Sequence, residues 1–167
     1  GRHRPQRYRR ERERAHAHMD TVTSCRYILL IRDTPEQAPE RGVPTGSVPS
    51  GMEVPAGFSA GKTRLFVSTN TPVVSLPEGG IVIGYLFHQD GTRIRDDSSL
   101  PRLQNTEQVR QYILEYCWGD YILLQPEKGD ESSLRVVRDP SGGLPCVYSV
   151  GHQGGFIASD ISLAAAF

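Results

Sequence analysis

An α+β domain dominated by antiparallel sheet is what the amino-acid sequence predicts, on three observations. Short apolar segments rich in strand-favouring residues recur along the chain; one segment alone carries helical periodicity; and the last four strand-like segments follow one another with only turns between them. Strands joined by turns make hairpins and meanders, whereas parallel βαβ units need a crossover of a dozen or more residues.

Taken in order, Cys25 to Ile31 (CRYILLI) reads as a buried strand that Asp33, Thr34 and Pro35 end. Between Pro35 and Gly61 the density of proline and glycine opposes both helix and central strand, so a long loop is expected there. Arg64 to Ser68 and Pro72 to Leu76 read as two strands around a turn at Thr69 to Thr71, and Ile81 to Phe87 (IVIGYLF) as a third that turns at His88 to Gly91. A helix follows: Asn105 caps it, Gln108 stands three residues on, and Val109, Tyr112, Ile113, Tyr116 and Cys117 recur at helical spacing, a stripe that must face a core. Asp120 to Gln125, Leu134 to Arg138, Pro145 to Val150 and Phe156 to Ser159 then read as one antiparallel meander.

The formal net charge is zero, but the charges are segregated. Residues 1–18 carry seven arginines against Glu11 and Glu13, so a basic leader, expected to be disordered, precedes a mildly acidic domain at 19–167. Clustered arginines can touch nucleic acid or an anionic surface, yet a leader outside the fold is the simpler expectation, and nucleic acid is not the expected partner. There is no apolar run of about 18 residues for a membrane span and no apolar signal-peptide core, which makes the cytoplasm the default location. Cys25, Cys117 and Cys146 are an odd number without a CxxC pair, so neither a disulfide framework nor a thiolate metal site is suggested; small buried hydrophobes are expected, and no metal ligands.

Three segments, in order, then carry a resemblance. WGDYILL (Trp118 to Leu124), RDPSGGLPCVY (Arg138 to Tyr148) and FIASDI (Phe156 to Ile161) resemble successive strands in the glutamine-amidotransferase half of the asparagine synthetase family. In the second, Arg138, Asp139, Gly142, Pro145 and Tyr148 match the family's R-D-x-x-G-x-x-P-x-Y-Y, with Val147 in place of the first tyrosine; in the third, Ser159 matches and Asp160 replaces a glutamate. The resemblance runs from about Ile81 to Phe167, and Leu163 to Phe167 are expected to form an uncovered apolar end. It implies an N-terminal-nucleophile-hydrolase-like sandwich of two antiparallel sheets with flanking helices. Physically these residues read as architecture: Asp139 can bond backbone donors of the SGG turn, Gly142 and Gly143 can adopt positive φ, and Pro145 fixes how the chain joins the next strand.

In that family the nucleophile is a cysteine at the mature N-terminus, whose thiol attacks the glutamine amide while its own α-amino group moves the proton. Here Cys25 follows Ser24 and a tail, so it is a nucleophile only if the chain is cut immediately before it. The family's Asn-Gly oxyanion pair aligns with Ile83 and Gly84, leaving Gly84 as a remnant, and loss of one oxyanion donor typically costs about 10² to 10³ in rate. Arg64, as a holder of the substrate carboxylate, competes with a plain surface arginine; Asp96, Asp97 and His88 read as loop or turn residues.

The pattern is similar to the asparagine-synthetase-like cyclases of lasso-peptide biosynthesis, which close a side-chain carboxylate of a precursor peptide onto its N-terminal amine with ATP. The resemblance implies a glutaminase-silent domain that acts as scaffold or peptide-contacting part of an ATP-dependent amide ligase. Its expected partners are a downstream synthetase domain, a precursor peptide and the peptide's processing protease. No pyrophosphate loop of the SGGxDS kind occurs, so ATP and magnesium are expected only for that absent domain, and this chain alone is expected to be inactive. The alternatives are an active glutamine-hydrolysing domain after processing at Cys25, and a stand-alone binding protein whose arginine tail contacts nucleic acid.

Overall fold

A computed structural model of the chain describes residues 25–32, 48–58, 60–129, 133–152 and 154–165. The arginine-rich leader and most of the proline-rich stretch after Arg32 lie outside the described residues. Ten strands and two helices are described: β1 (Tyr27–Arg32), β2 (Met52–Glu53), β3 (Thr63–Ser68), β4 (Val73–Ser75), β5 (Ile81–His88), β6 (Arg93–Ile94), α1 (Thr106–Tyr116), β7 (Cys117–Pro126), β8 (Leu134–Arg138), β9 (Val147–Gly151), β10 (Gly154–Ala158) and α2 (Ile161–Ala164). The class is α+β, with every strand pair antiparallel.

The strands form two sheets, ordered β2-β3-β1-β10-β9 and β4-β5-β7-β8, with β6 also on β5. Alternation along each strand explains how they stack. Tyr27 and Leu29 of β1, Leu65 and Val67 of β3 and Ile157 of β10 meet Ile81 and Ile83 of β5 and Ile122 and Leu124 of β7 in a core between the sheets. The intervening residues of the second sheet, Val82, Leu86, Tyr121 and Leu123, meet Val109 and Ile113 of α1 on its outer face. On the outer face of the first sheet, Ile28, Leu30, Phe66 and Ala158 are covered by Leu163 of α2.

The helix forms for the reasons the sequence offers. Asn105 accepts a bond from the backbone N–H of Gln108 at 2.9 Å, and the side chain of Gln108 reaches back to the N–H of Gln104 at 2.9 Å, one residue earlier than a strict capping box. Only Val109 and Ile113 of the expected stripe are fully buried; Tyr112 is half-buried and Tyr116 exposed, because α1 runs directly into β7 at Cys117 and its last turn overhangs the sheet.

Three expectations need correction. The last four strands are not one meander: β7-β8 and β9-β10 are hairpins in different sheets, and the chain crosses between the sheets over 139–146. The turn expected at Thr69 to Thr71 is present, Thr71 N donating to Ser68 O at 2.9 Å; it carries the chain from one sheet to the other, and Thr71 ties it to the start of β1 by accepting from Arg26 N at 2.9 Å and donating to Arg26 O at 3.2 Å. The proline-rich stretch holds a short strand, β2. Leu163, expected in an uncovered apolar end, is buried against the first sheet; Phe167 lies outside the described residues.

Candidate functional site

The signature residues converge on the crossing from β8 to β9. Asp139 is 3% exposed, and its carboxylate takes up donors from two sides. One oxygen accepts from Ser141 N and Gly142 N, both at 2.9 Å, and from the Ser141 hydroxyl; the other accepts from Tyr121 N of β7 at 3.1 Å. Arg138 clamps the same turn from outside, its guanidinium donating to the carbonyls of Gly142 at 2.9 Å and Leu144 at 2.7 Å. A carboxylate buried under four donors serves as an anchor for the turn, not as a base open to substrate. Gly142 adopts φ +63°, but Gly143 is a glycine for a different reason: a Cβ there would stand 1.8 Å from Oδ1 of Asp120.

Ser159 closes the other end of the motif, its hydroxyl accepting from Tyr27 N at 3.1 Å and its own N–H reaching Tyr27 O at 3.0 Å. Asp160 caps α2 through Ser162 N at 2.8 Å, a bond that lowers its pKa. Pro145 offers its carbonyl to the Tyr27 hydroxyl at 2.8 Å. Tyr148, by contrast, is 73% exposed.

At one end of the sandwich, beside this crossing, charged and aromatic side chains gather at the mouth between the sheets, with Cys25 buried behind them at 3% exposure. Cys25 precedes β1 and joins the inter-sheet core. Facing it from the second sheet are Tyr85 and, directly opposite in the ladder, Asp120; Arg93 returns beside Phe87 and lays its guanidinium 4.9 Å over the Tyr85 ring. Phe87 and Trp118 stack at 4.5 Å just beyond, the indole N–H donating to His88 O at 2.8 Å. The Ser141 hydroxyl, whose one proton goes to Asp139, also lies 3.4 Å from Asp120 Oδ1, which sets the crossing beside the mouth.

Electrostatics decide what Cys25 can do. Burial pushes its thiol up from 9.0 to about 11, with Arg93 pulling it down and Asp120 pushing it further up. At pH 7 a thiol with that pKa is ionised roughly one part in 10⁴, whereas the thiolate is the nucleophile. Gly84 fares no better as an oxyanion donor. Its N–H is committed to Pro72 O at 2.9 Å, and its glycine character answers a packing need: φ is +105° and a Cβ would lie 2.3 Å from the Asp120 carbonyl. The mouth thus combines a guanidinium, a carboxylate and a half-exposed indole with a thiol held neutral.

Sequence reading missed Arg93 and Asp120. The turn at His88 to Gly91 was legible, and a chain returning from it must pair beside Phe87, which places Arg93; a lone carboxylate in the apolar run of β7 marked Asp120. Arg64 does not join them. It pairs with Leu30, far along β1 from Cys25, lies 5.2 Å over the Phe66 ring and lines a small separate pocket with Val54, Pro55 and Phe58. Asp96 caps a single 3-10 turn at Asp97–Ser99. His88 is the half-buried last residue of β5. Among the described residues no three His, Cys, Asp or Glu side chains group to hold a metal, and no helix is long and apolar enough to cross a membrane. Compared with family models, curated proteins and solved structures, the chain shows no match to any of them.

Proposed function

We propose that this chain is a glutaminase-silent amidotransferase-like domain of an asparagine-synthetase-related, ATP-dependent amide ligase of the cytoplasm, with a lasso-peptide cyclase as the specific reading. The observation that carries it is the state of Cys25. A cysteine opens the first central strand of a two-sheet sandwich, where an N-terminal-nucleophile hydrolase keeps its nucleophile, yet burial holds the thiol near pKa 11. The committed N–H of Gly84 supports the same conclusion, since an oxyanion needs a donor aimed at it and not at a neighbouring strand.

A ligase that closes a carboxylate onto an amine of the same peptide uses no ammonia, so nothing in that reaction maintains a glutaminase. What remains useful is the scaffold: two sheets locked at the Asp139 crossing, with surface left over for a synthetase domain and a precursor peptide. ATP and magnesium belong to that synthetase domain.

Two measurements test the reading. Glutamate release from glutamine by the chain is expected to be absent, and turnover that disappears in Cys25→Ala would overturn the silent assignment. Calorimetric titration with ATP and magnesium is expected to be flat, and saturable binding would overturn the placement of the chain in the amidotransferase half.

A further inference from the structure

Exposed sheet edges present unpaired N–H and C=O groups, and proteins blunt them with brevity, proline or charge. Most edges here are blunted so. β2 and β6 are two residues long, and β4 is three residues between Pro72 and Pro77. β8 carries Arg135 and Arg138, with Arg135 paired to Glu127 at 2.9 Å. β9 differs: Val147–Gly151 is five residues long, without charge or proline, and exposed at every position.

The direction of its backbone follows from the ladder. Ser159 N donates to Tyr27 O, so in the β1-β10 pair the mutually bonded residues alternate from there, and Ile157 and Gly155 bond toward β1. Phe156 and Ala158 therefore bond across to Ser149 and Val147. The N–H and C=O groups of Tyr148 and Val150 are left pointing away from the sheet. Their side chains lie on the inner face, because Tyr148 stands opposite Ile157 of the inter-sheet core. At the corresponding edge of the second sheet, Val136 of β8, opposite Leu124, also faces inward. Yet Tyr148 is 73%, Val150 61% and Val136 37% exposed, so along this side the described residues leave an open apolar slot beside an outward-facing main-chain edge.

We propose that β9 is a strand-addition site: an extended peptide pairs with Tyr148 and Val150 as the next strand of this sheet and sets its alternate apolar side chains against Tyr148, Val150 and Val136. A peptide is the occupant that fits. A standard interface between folded proteins draws on about 20–30 residues a side, and β9 supplies five, so a second copy resting on this strand alone falls far short. Strand addition needs only the strand, with main-chain bonds giving affinity and alternate side chains giving specificity. The absence of charge along β9 selects a peptide that is apolar at alternate positions and uncharged between them. The inference rests on the proposed function only in identifying that peptide as the ligase's precursor.

The test is amide-resolved NMR of the chain titrated with acetyl-Thr-Val-Thr-Val-Thr amide, without ATP or glutamine. Saturable shifts centred on Tyr148 and Val150 are expected. Val150→Pro removes an outward donor and no bond to β10, so it should weaken binding by about tenfold with melting unchanged, as should methylation of the peptide's valine nitrogens. Several results would overturn the proposal: no shifts at millimolar peptide, shifts centred elsewhere, undiminished binding of the methylated peptide, or β9 shifts on concentrating the chain alone, which would give the edge to a second copy. Failure here leaves the silent-amidotransferase reading standing, and glutamate release would sink that reading without touching β9.

Discussion

The crossing from β8 to β9 and the strand it delivers are neighbours in the chain built on opposite terms. In the crossing, polar groups are paired with one another: four donors converge on Asp139, and Arg138 holds the carbonyls of Gly142 and Leu144. In β9, apolar side chains stand in solvent and two residues turn their backbone outward. A run of residues that reads as one family signature, Arg138 to Tyr148, therefore has two physical halves. The first joins the sheets, and the second, ending in Tyr148, adds almost nothing to the core.

The largest expected effect lies in the first half. Asp139→Ala leaves the buried Tyr121 N without its acceptor and takes the side-chain acceptor from Ser141 N and Gly142 N in the partly exposed turn, where Gly142 N keeps the Asp139 carbonyl at 3.0 Å; an unsatisfied buried donor costs about 1–3 kcal/mol. A loss on the order of 3 kcal/mol is expected in urea unfolding. A loss below 1 kcal/mol would mean that the two sheets are joined by apolar packing alone, and the contrast between the halves would collapse.

Gly143→Ala sharpens the comparison by asking how the crossing communicates with the mouth. Its Cβ would sit 1.8 Å from Asp120 Oδ1, so Asp120 must swing away from the Ser141 hydroxyl. About 2 kcal/mol of destabilisation is expected from the overpacking and the crowded rotamer. Because Asp120 also raises the Cys25 pKa, alkylation of Cys25 at high pH should become faster in this variant.

How much of this was legible in the sequence depended on the range of the interactions. α1 was legible because its cap and apolar period lie within a dozen residues. The strands were legible as apolar runs between turns. Sheet membership was not, since a three-residue link such as Thr69 to Thr71 can be a hairpin or a crossing, and only the distant bond to Arg26 decides. The mouth was hidden for the same reason: Cys25, Arg93 and Asp120 are far apart in the chain and meet only because β1 and β5 face each other across the core.

A smaller effect follows from the thiols. Burial raises both Cys25 and Cys117 from 9.0 to about 11. The unfolded chain releases these protons near pH 9 while the folded chain holds them to about 11, so stability is fully present below pH 9 and falls as pH rises toward 11. Between pH 8 and pH 10 the expected loss is about 1 kcal/mol per thiol. The double variant Cys25→Ala, Cys117→Ala should flatten that slope, leaving the part due to Tyr27 and Tyr121, whose hydroxyls burial also raises. An unchanged slope would mean that the thiols ionise freely in the folded chain, and the mouth would again hold a usable nucleophile.

The smallest effect is expected at Tyr148, and its smallness carries the argument. Tyr148 matches the signature as well as Asp139 does, so an account in which every matching residue supports the fold makes the two substitutions comparable. With 73% of the residue exposed and its ladder partner Ile157 already seated in the core, Tyr148→Thr removes little buried surface and keeps a strand-favouring side chain. The expected change in unfolding free energy is within about 0.5 kcal/mol, as for exposed positions in general. In the peptide titration the same variant should lose affinity, because the ring forms one wall of the slot. A tyrosine that is neutral to stability and needed for binding would place it on the recognition surface; a loss of stability above about 1 kcal/mol would return it to the core and close the slot beside β9.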